Sequence, residues 1–175
     1  MQITRATDYA TRVMIYLATL PPRVKAQRVA IAKAADVPDS FLSKLLQRLV
    51  RVGLVASSRG SGGGFELAVA RRHISLLDIM EAIEGETRLN LCMADGPSCN
   101  RKSWCPAHPI WQEAQKALTN VLRRATLDKL AKEAQANAAS QRQAQGGEKY
   151  QIEVLPTNIR YRGKQVMREE NTQRL

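Results

Sequence analysis

Six residues, Arg59-Gly60-Ser61-Gly62-Gly63-Gly64, hold four glycines and lie between two short runs rich in β-formers, 54–58 and 65–69. Each glycine costs a regular element about 0.5–1 kcal/mol relative to alanine, so this stretch ends any helix or strand and leaves a reversal. The flanking runs are too short for helices, and the spacing predicts a β-hairpin with a glycine tip. A phosphate-binding loop is disfavoured, because no Gly-Lys-Ser/Thr follows and the glycines sit inside a hairpin, not between a strand and a helix.

The residues before the hairpin decide the kind of domain it belongs to. Tyr9, Val13, Tyr16, Leu17 and Leu20 recur at helical spacing, and Pro21-Pro22 ends that helix. A second helix fits 29–35, with Ile31, Ala32 and Ala35 inward. Asp36-Val37-Pro38-Asp39 is turn-prone: Asp36 tolerates a left-handed backbone, and Asp39 or Ser40 is suited to cap the next helix. That third helix, 40–52, is expected to bury Phe41, Leu42, Leu45, Leu46, Leu49 and Val52, with Gly53 just past its end. Its outer face carries Ser40, Ser43, Lys44, Gln47, Arg48 and Arg51, side chains able to reach base edges and phosphates. Helix, helix, turn, polar-faced helix and glycine hairpin together predict a winged helix-turn-helix within a mainly α chain.

Charge follows the same division. Of a net +11, residues 1–72 carry 12 Lys or Arg against 4 Asp or Glu, whereas residues 73–135 carry 8 of each. A basic unit beside a neutral one suits a polyanion-binding module followed by a packing or sensing module. In that setting the glycine tip serves as a wing whose bare backbone approaches DNA while Arg59 enters the minor groove.

Beyond the hairpin, Ser75 caps a fourth helix through Ile83, and Gly85 closes it. The three cysteines of the chain, Cys92, Cys99 and Cys105, then fall in one loop, with His108 three residues further on. An odd number of thiols with no secretory leader argues against a disulfide framework and for soft metal ligands in a cytoplasmic protein. A long amphipathic helix from Pro109 carries Ile110, Trp111, Ala114, Ala117, Leu118, Val121, Leu122 and Ala125 in one stripe. Part of it is expected to pack on the first helix and the rest on a second protomer. From Gln135 the Ala/Gln/Asn/Ser composition suggests a linker, and 150–175 is too poor in apolar surface to fold alone. The expected organisation is therefore a DNA-binding domain (1–85), a cysteine loop (86–108), dimerisation helices (109–135), and a linker with a disordered tail (136–175). No stretch approaches a membrane span.

On these residues the chain resembles the Rrf-two family of bacterial winged-helix regulators over roughly 1–135. The resemblance rests on Met1-Gln2-Ile3-Thr4 with Asp8-Tyr9-Ala10, on Phe41-Leu42 and Leu45, on Gly53-Leu54-Val55, on the glycine wing, and on three cysteines before a long helix. It implies a homodimer on a double-stranded DNA operator, with Ser40, Phe41, Ser43 and Lys44 in the major groove and Arg59 and Gly60 at the minor groove. Pro38, Asp36 and Ser43 depart from residues common in relatives, so no operator sequence carries over.

The resemblance also implies an iron-sulfur cluster on Cys92, Cys99 and Cys105, with two candidates for the fourth ligand. His108 matches the IscR-like branch and a 2Fe-2S cluster; Asp8 matches the NsrR-like branch and a 4Fe-4S cluster completed across the dimer. Each residue also has a plain structural role, His108-Pro109 in opening the long helix and Asp8 in its helix's first turn. The function expected is a cluster-dependent transcriptional regulator of repressor type, in which the cluster sets the angle between dimer helix and winged domain. Two alternatives stand beside it. Cys92-x6-Cys99-x5-Cys105-x2-His108 is close to the spacing of a zinc-binding nucleic-acid module, and a metal-free thiol regulator uses the same cysteines. An enzyme with Cys105 activated by His108 is disfavoured, since no orienting third group or substrate pocket is suggested.

Overall fold

In the computed structural model, residues 3–60, 62–94 and 99–144 are described. Six helices and one two-stranded sheet follow in the order α1 (Arg5–Thr19), α2 (Arg28–Ala35), α3 (Asp39–Arg51), β1 (Val55–Ser58), β2 (Gly64–Leu67), α4 (Leu76–Glu84), α5 (His108–Arg124), α6 (Leu127–Ala144). The mainly helical winged fold is thus as the sequence predicts. The core gathers Ala10, Val13, Met14 and Leu17 of α1, Ile31 of α2, Leu42, Leu45, Leu46 and Leu49 of α3, and Ile79 and Ile83 of α4.

Local chemistry sets the joints. Asp36 ends α2 in the left-handed conformation at φ 50°, and Val37 N–H bonds to Ala32 O at 3.0 Å. At the end of α3, Gly53 N–H bonds to Val50 O and Leu54 N–H to Leu49 O, each at 3.0 Å, with Gly53 at φ 75°. This is the paired arrangement that turns a helix sharply into the next strand. The α4 start is a capping box: Asp78 N–H donates to Ser75 Oγ at 3.3 Å, and Ser75 N–H donates to Asp78 Oδ2 at 2.7 Å. Neither Asp39 nor Ser40 caps α3, whose N-cap is Pro38 with no side-chain bond; Asp39 lies inside the first turn and pairs with Arg28 instead.

The hairpin pairs Val55 with Leu67 through Ser58 with Gly64, antiparallel. A third piece of backbone joins it: Ala26 N–H bonds to Phe65 O at 2.8 Å and Phe65 N–H to Ala26 O at 2.9 Å. That bridge ties the wing to the residues leading into α2.

Three expectations about packing change. Phe41 is 49% exposed and Val52 50%, not inward; Phe41 leans edge-on against Tyr9, ring centroids 5.9 Å apart. The helix that covers α1 is α6, through Leu127 and Ala131, both fully buried, whereas α5 lies against α4. And α6 runs on past Gln135 to Ala144, where a linker is expected; alanine is the strongest helix former, so an Ala-rich polar stretch extends a helix that is already nucleated. The expected tail beyond 144 lies outside the described residues. None of the described helices is long and apolar enough to cross a membrane.

Candidate nucleic-acid interface and cysteine segment

Helix α3 and the hairpin border one open groove of about 550 Å³, lined by Arg28, Ser43, Gln47, Arg51, Ser57, Ser58 and Arg59 over a floor of Leu46, Val50 and Phe65. Three arginines and three serines share this lining with apolar atoms, so the groove offers cations and hydroxyls suited to phosphates beside apolar surface. Of the predicted contact residues, Ser43 and Arg59 line this groove. Ser40, Phe41 and Lys44 are exposed along the same helix, and Gly60 is exposed at the hairpin tip. Two further observations concern cations. Arg28, from α2, bonds the Asp39 carboxylate and lies 3.2 Å from Ser43 Oγ. Arg48, expected on the outer face, turns back and donates to Ile83 O at 2.6 Å, locking α3 to the end of α4. The pairing of α2 with the groove is not legible from residue type alone, because Arg28 opens α2 eleven residues before Asp39 and only the fold brings the two together.

The cysteine segment is a second, separate region. Thr87 and Leu89 lie against α5, a single 3-10 turn spans Leu91–Met93, and Cys92 within it is buried. Cys99 and Cys105 are half-buried and all three thiols are free. His108 opens α5, is 9% exposed, and its Nδ1 has no hydrogen-bond partner among the described residues. Asp8 sits elsewhere: its carboxylate pairs with Arg12 at 2.8 Å, and Arg12 also reaches toward Asp36 at 3.9 Å. Among the described residues, no three His, Cys, Asp or Glu side chains converge closely enough to hold a metal ion. Cys92, Cys99, Cys105 and His108 thus belong to one segment leading into α5, while Asp8 lies on α1. His73, expected at the surface, is exposed and accepts from Arg72 Nε at 3.0 Å.

Along α5 the apolar stripe is largely uncovered, with Ile110 65%, Trp111 41% and Val121 67% exposed; His108 is the one residue of the helix that is buried.

Comparison with known proteins matches most of this architecture. The model of the Rrf2 family, described as an iron-dependent transcriptional regulator, matches residues 3–133. The protein aau3 of Rhizobium meliloti is 32% identical over 133 residues, covering 75% of this chain and 86% of that protein. Among solved structures, the oxidized form of Staphylococcus aureus CymR is 30% identical with a TM-score of 0.58, covering 75% of this chain and 96% of that one. T. potens IscR is 25% identical with a TM-score of 0.61, covering 77% and 88%. With the fold, the polyanion groove and the family match agreeing across residues 3–133, the chain belongs to the Rrf2 family of transcriptional regulators.

Proposed function

We propose that the chain is a homodimeric regulator that binds a double-stranded operator through α3 and the wing, and that the chemical state of its cysteine segment sets that affinity. One observation carries the DNA half: Arg28, Gln47, Arg51 and Arg59, from three different elements, line a single groove. Ser40, Ser43 and Lys44 present hydrogen-bonding groups to base edges, Phe41 offers an apolar edge suited to a thymine methyl, and Arg59 with Gly60 approaches the minor groove. The uncovered face of α5, with Ile110, Trp111 and Val121, favours a second copy of the chain as its cover.

For the cysteine segment, the donor set of Cys92, Cys99, Cys105 and His108 suits an iron-sulfur cluster, and the buried His108 Nδ1, without a partner among the described residues, is the atom that such a group would satisfy. The pairing of Asp8 with Arg12 favours His108 over Asp8 as fourth ligand, and so a 2Fe-2S cluster. When bound, the cluster would supply a one-electron redox centre and a covalent tie between the segment and the start of α5. The same free thiols favour a second reading, a metal-free thiol switch, for which the solved oxidized form of CymR is the precedent.

Anaerobic purification with iron and sulfide analysis and absorption spectra of wild type, His108→Ala and Asp8→Ala tests the cluster. A coloured protein whose spectrum changes only in His108→Ala is expected. A colourless zinc protein would sink the cluster reading, and a metal-free protein whose DNA affinity follows thiol oxidation would establish the thiol switch in its place.

A further inference from the structure

The segment that carries Cys92 is held to α5 by one side chain. Gln115 Nε2 donates to Thr87 O at 2.6 Å, and its Oε1 accepts from Leu89 N–H at 2.8 Å. A primary amide offers one donor and one acceptor side by side, so it meets alternate backbone groups of an extended segment as a neighbouring strand would. Gln115 lies seven residues, or two turns, beyond His108, on the same face of the helix. The 3-10 turn that carries the buried Cys92 also lies against α5, two residues beyond Leu89, so the register that Gln115 sets at Thr87 and Leu89 is carried into it.

The other side of the segment leads to the DNA-facing unit. Thr87 N–H donates to Glu81 Oε1 at 3.2 Å. The same end of α4 receives Arg48 of α3 at Ile83 O, 2.6 Å, and Thr7 of α1 at Glu84 Oε1, 2.6 Å. Helix α3, helix α1 and the cysteine segment thus all terminate on one turn of α4, and Gln115 is the only side chain described that bonds both backbone groups of the segment to α5.

We propose that Gln115 is a positioning residue that fixes the register of segment 87–93 on α5 and, through the last turn of α4, couples the state of the cysteines to the orientation of α3. The coupling half rests on the proposed regulator function; the positioning half does not. A contiguous chain of hydrogen bonds is the physical basis, and a change in coupling on breaking one link is its proof.

The test uses the full chain with Gln115→Leu and Gln115→Glu, the latter keeping an acceptor for Leu89 while losing the donor to Thr87. Iodoacetamide labelling under native conditions, read cysteine by cysteine by mass spectrometry, is expected to show Cys92 in Gln115→Leu reacting about tenfold faster than in wild type, with Gln115→Glu between the two. Cys99 and the far-ultraviolet dichroism are expected to stay as in wild type. Equal Cys92 rates in both folded variants would overturn the positioning role; if Gln115→Leu does not fold, Gln115→Glu alone carries that comparison. DNA affinity before and after labelling, at matched salt, is expected to shift by about fivefold in wild type and less than about twofold in Gln115→Leu, the size of a modest coupling energy. The same shift in both proteins would overturn the coupling. A wild type that ignores labelling, or binds no DNA, would overturn the regulator reading and the coupling together, while the Cys92 rates still decide the positioning role.

Discussion

Arg28 and Asp39 are bonded across the turn between α2 and α3, so the guanidinium that opens α2 is held by a carboxylate in the first turn of α3, the helix proposed to face DNA. Both side chains are about half exposed, at 44% and 58%, and the pair contributes little to stability. Its consequence is for binding: the carboxylate lowers the positive potential where a phosphate would arrive, and it fixes where Arg28 points. Replacing Asp39 by Asn frees the cation. Non-specific DNA affinity is expected to rise, and the slope of log affinity against log salt to steepen by about one ion. Titration of a random duplex at several salt concentrations measures both; an unchanged slope would mean that Arg28 does not face the phosphates.

Arg59 stands at the hairpin edge of the groove, exposed and outside the core. Arg59→Ala is expected to weaken specific binding by about 1–3 kcal/mol while leaving the melting temperature in place. Fluorescence anisotropy on the operator, with a thermal melt as control, separates the two.

The hairpin was legible because its signals are local: a run of glycines, short flanking β-formers, and Gly53 at a helix end all act within a few residues. The Ser75 and Asp78 capping box is legible for the same reason. Identifying which face of a helix is apolar is likewise a local matter, but identifying its cover is not. The periodicity of α5 and α6 cannot say that α6 takes α1 while Ile110 and Val121 stay uncovered. Nor can spacing show that Arg48 leaves the outer face of α3 for Ile83 O, since a long side chain chooses among partners set by the tertiary fold. In the cysteine segment, chain spacing places the donors close in sequence, but spacing alone does not bring side chains together in space, and among the described residues no three of them converge.

Gly64 is where the wing meets the backbone before α2. A Cβ there would stand 2.8 Å from Ala26 O and 3.2 Å from Ala26 C, and the residue has φ 148°, outside the range side chains prefer. Gly64→Ala must therefore push Ala26 and Phe65 apart and break their paired bonds. A loss of about 1–3 kcal/mol is expected in denaturant unfolding, together with weaker DNA binding as the wing loses its tether.

Leu127 has no exposed surface, and its N–H bonds to Ile74 O at 2.7 Å where α6 begins. Truncation to Ala removes the plug between α6 and α1, with an expected cost of about 2–5 kcal/mol for a core leucine. Because α5 does not depend on that contact, the dimer proposed to form through α5 is expected to survive in the folded fraction. Sedimentation at a temperature below the variant's melt reads this; a monomer there would mean that α6, not α5, holds the two copies together.

Glu84 closes the joint between α1 and α4, accepting from the Thr4 and Thr7 hydroxyls, the latter at 2.6 Å. Those two bonds, Thr4 first, hold its carboxyl below the ordinary value against an opposing effect of desolvation, and the charge of Arg48 adds a lesser lowering. A carboxyl with a lower value folded than unfolded stabilises the fold fully above the unfolded value, about 4.3, and loses that stabilisation as pH falls through the folded value. Gln at this position keeps an oxygen for the hydroxyls but carries no charge and does not titrate there. The melting-temperature difference between wild type and Glu84→Gln is therefore expected to be largest near about pH 6 and to shrink toward about pH 3. A difference that stays constant over that range would mean that the threonine bonds do not favour the ionised carboxylate.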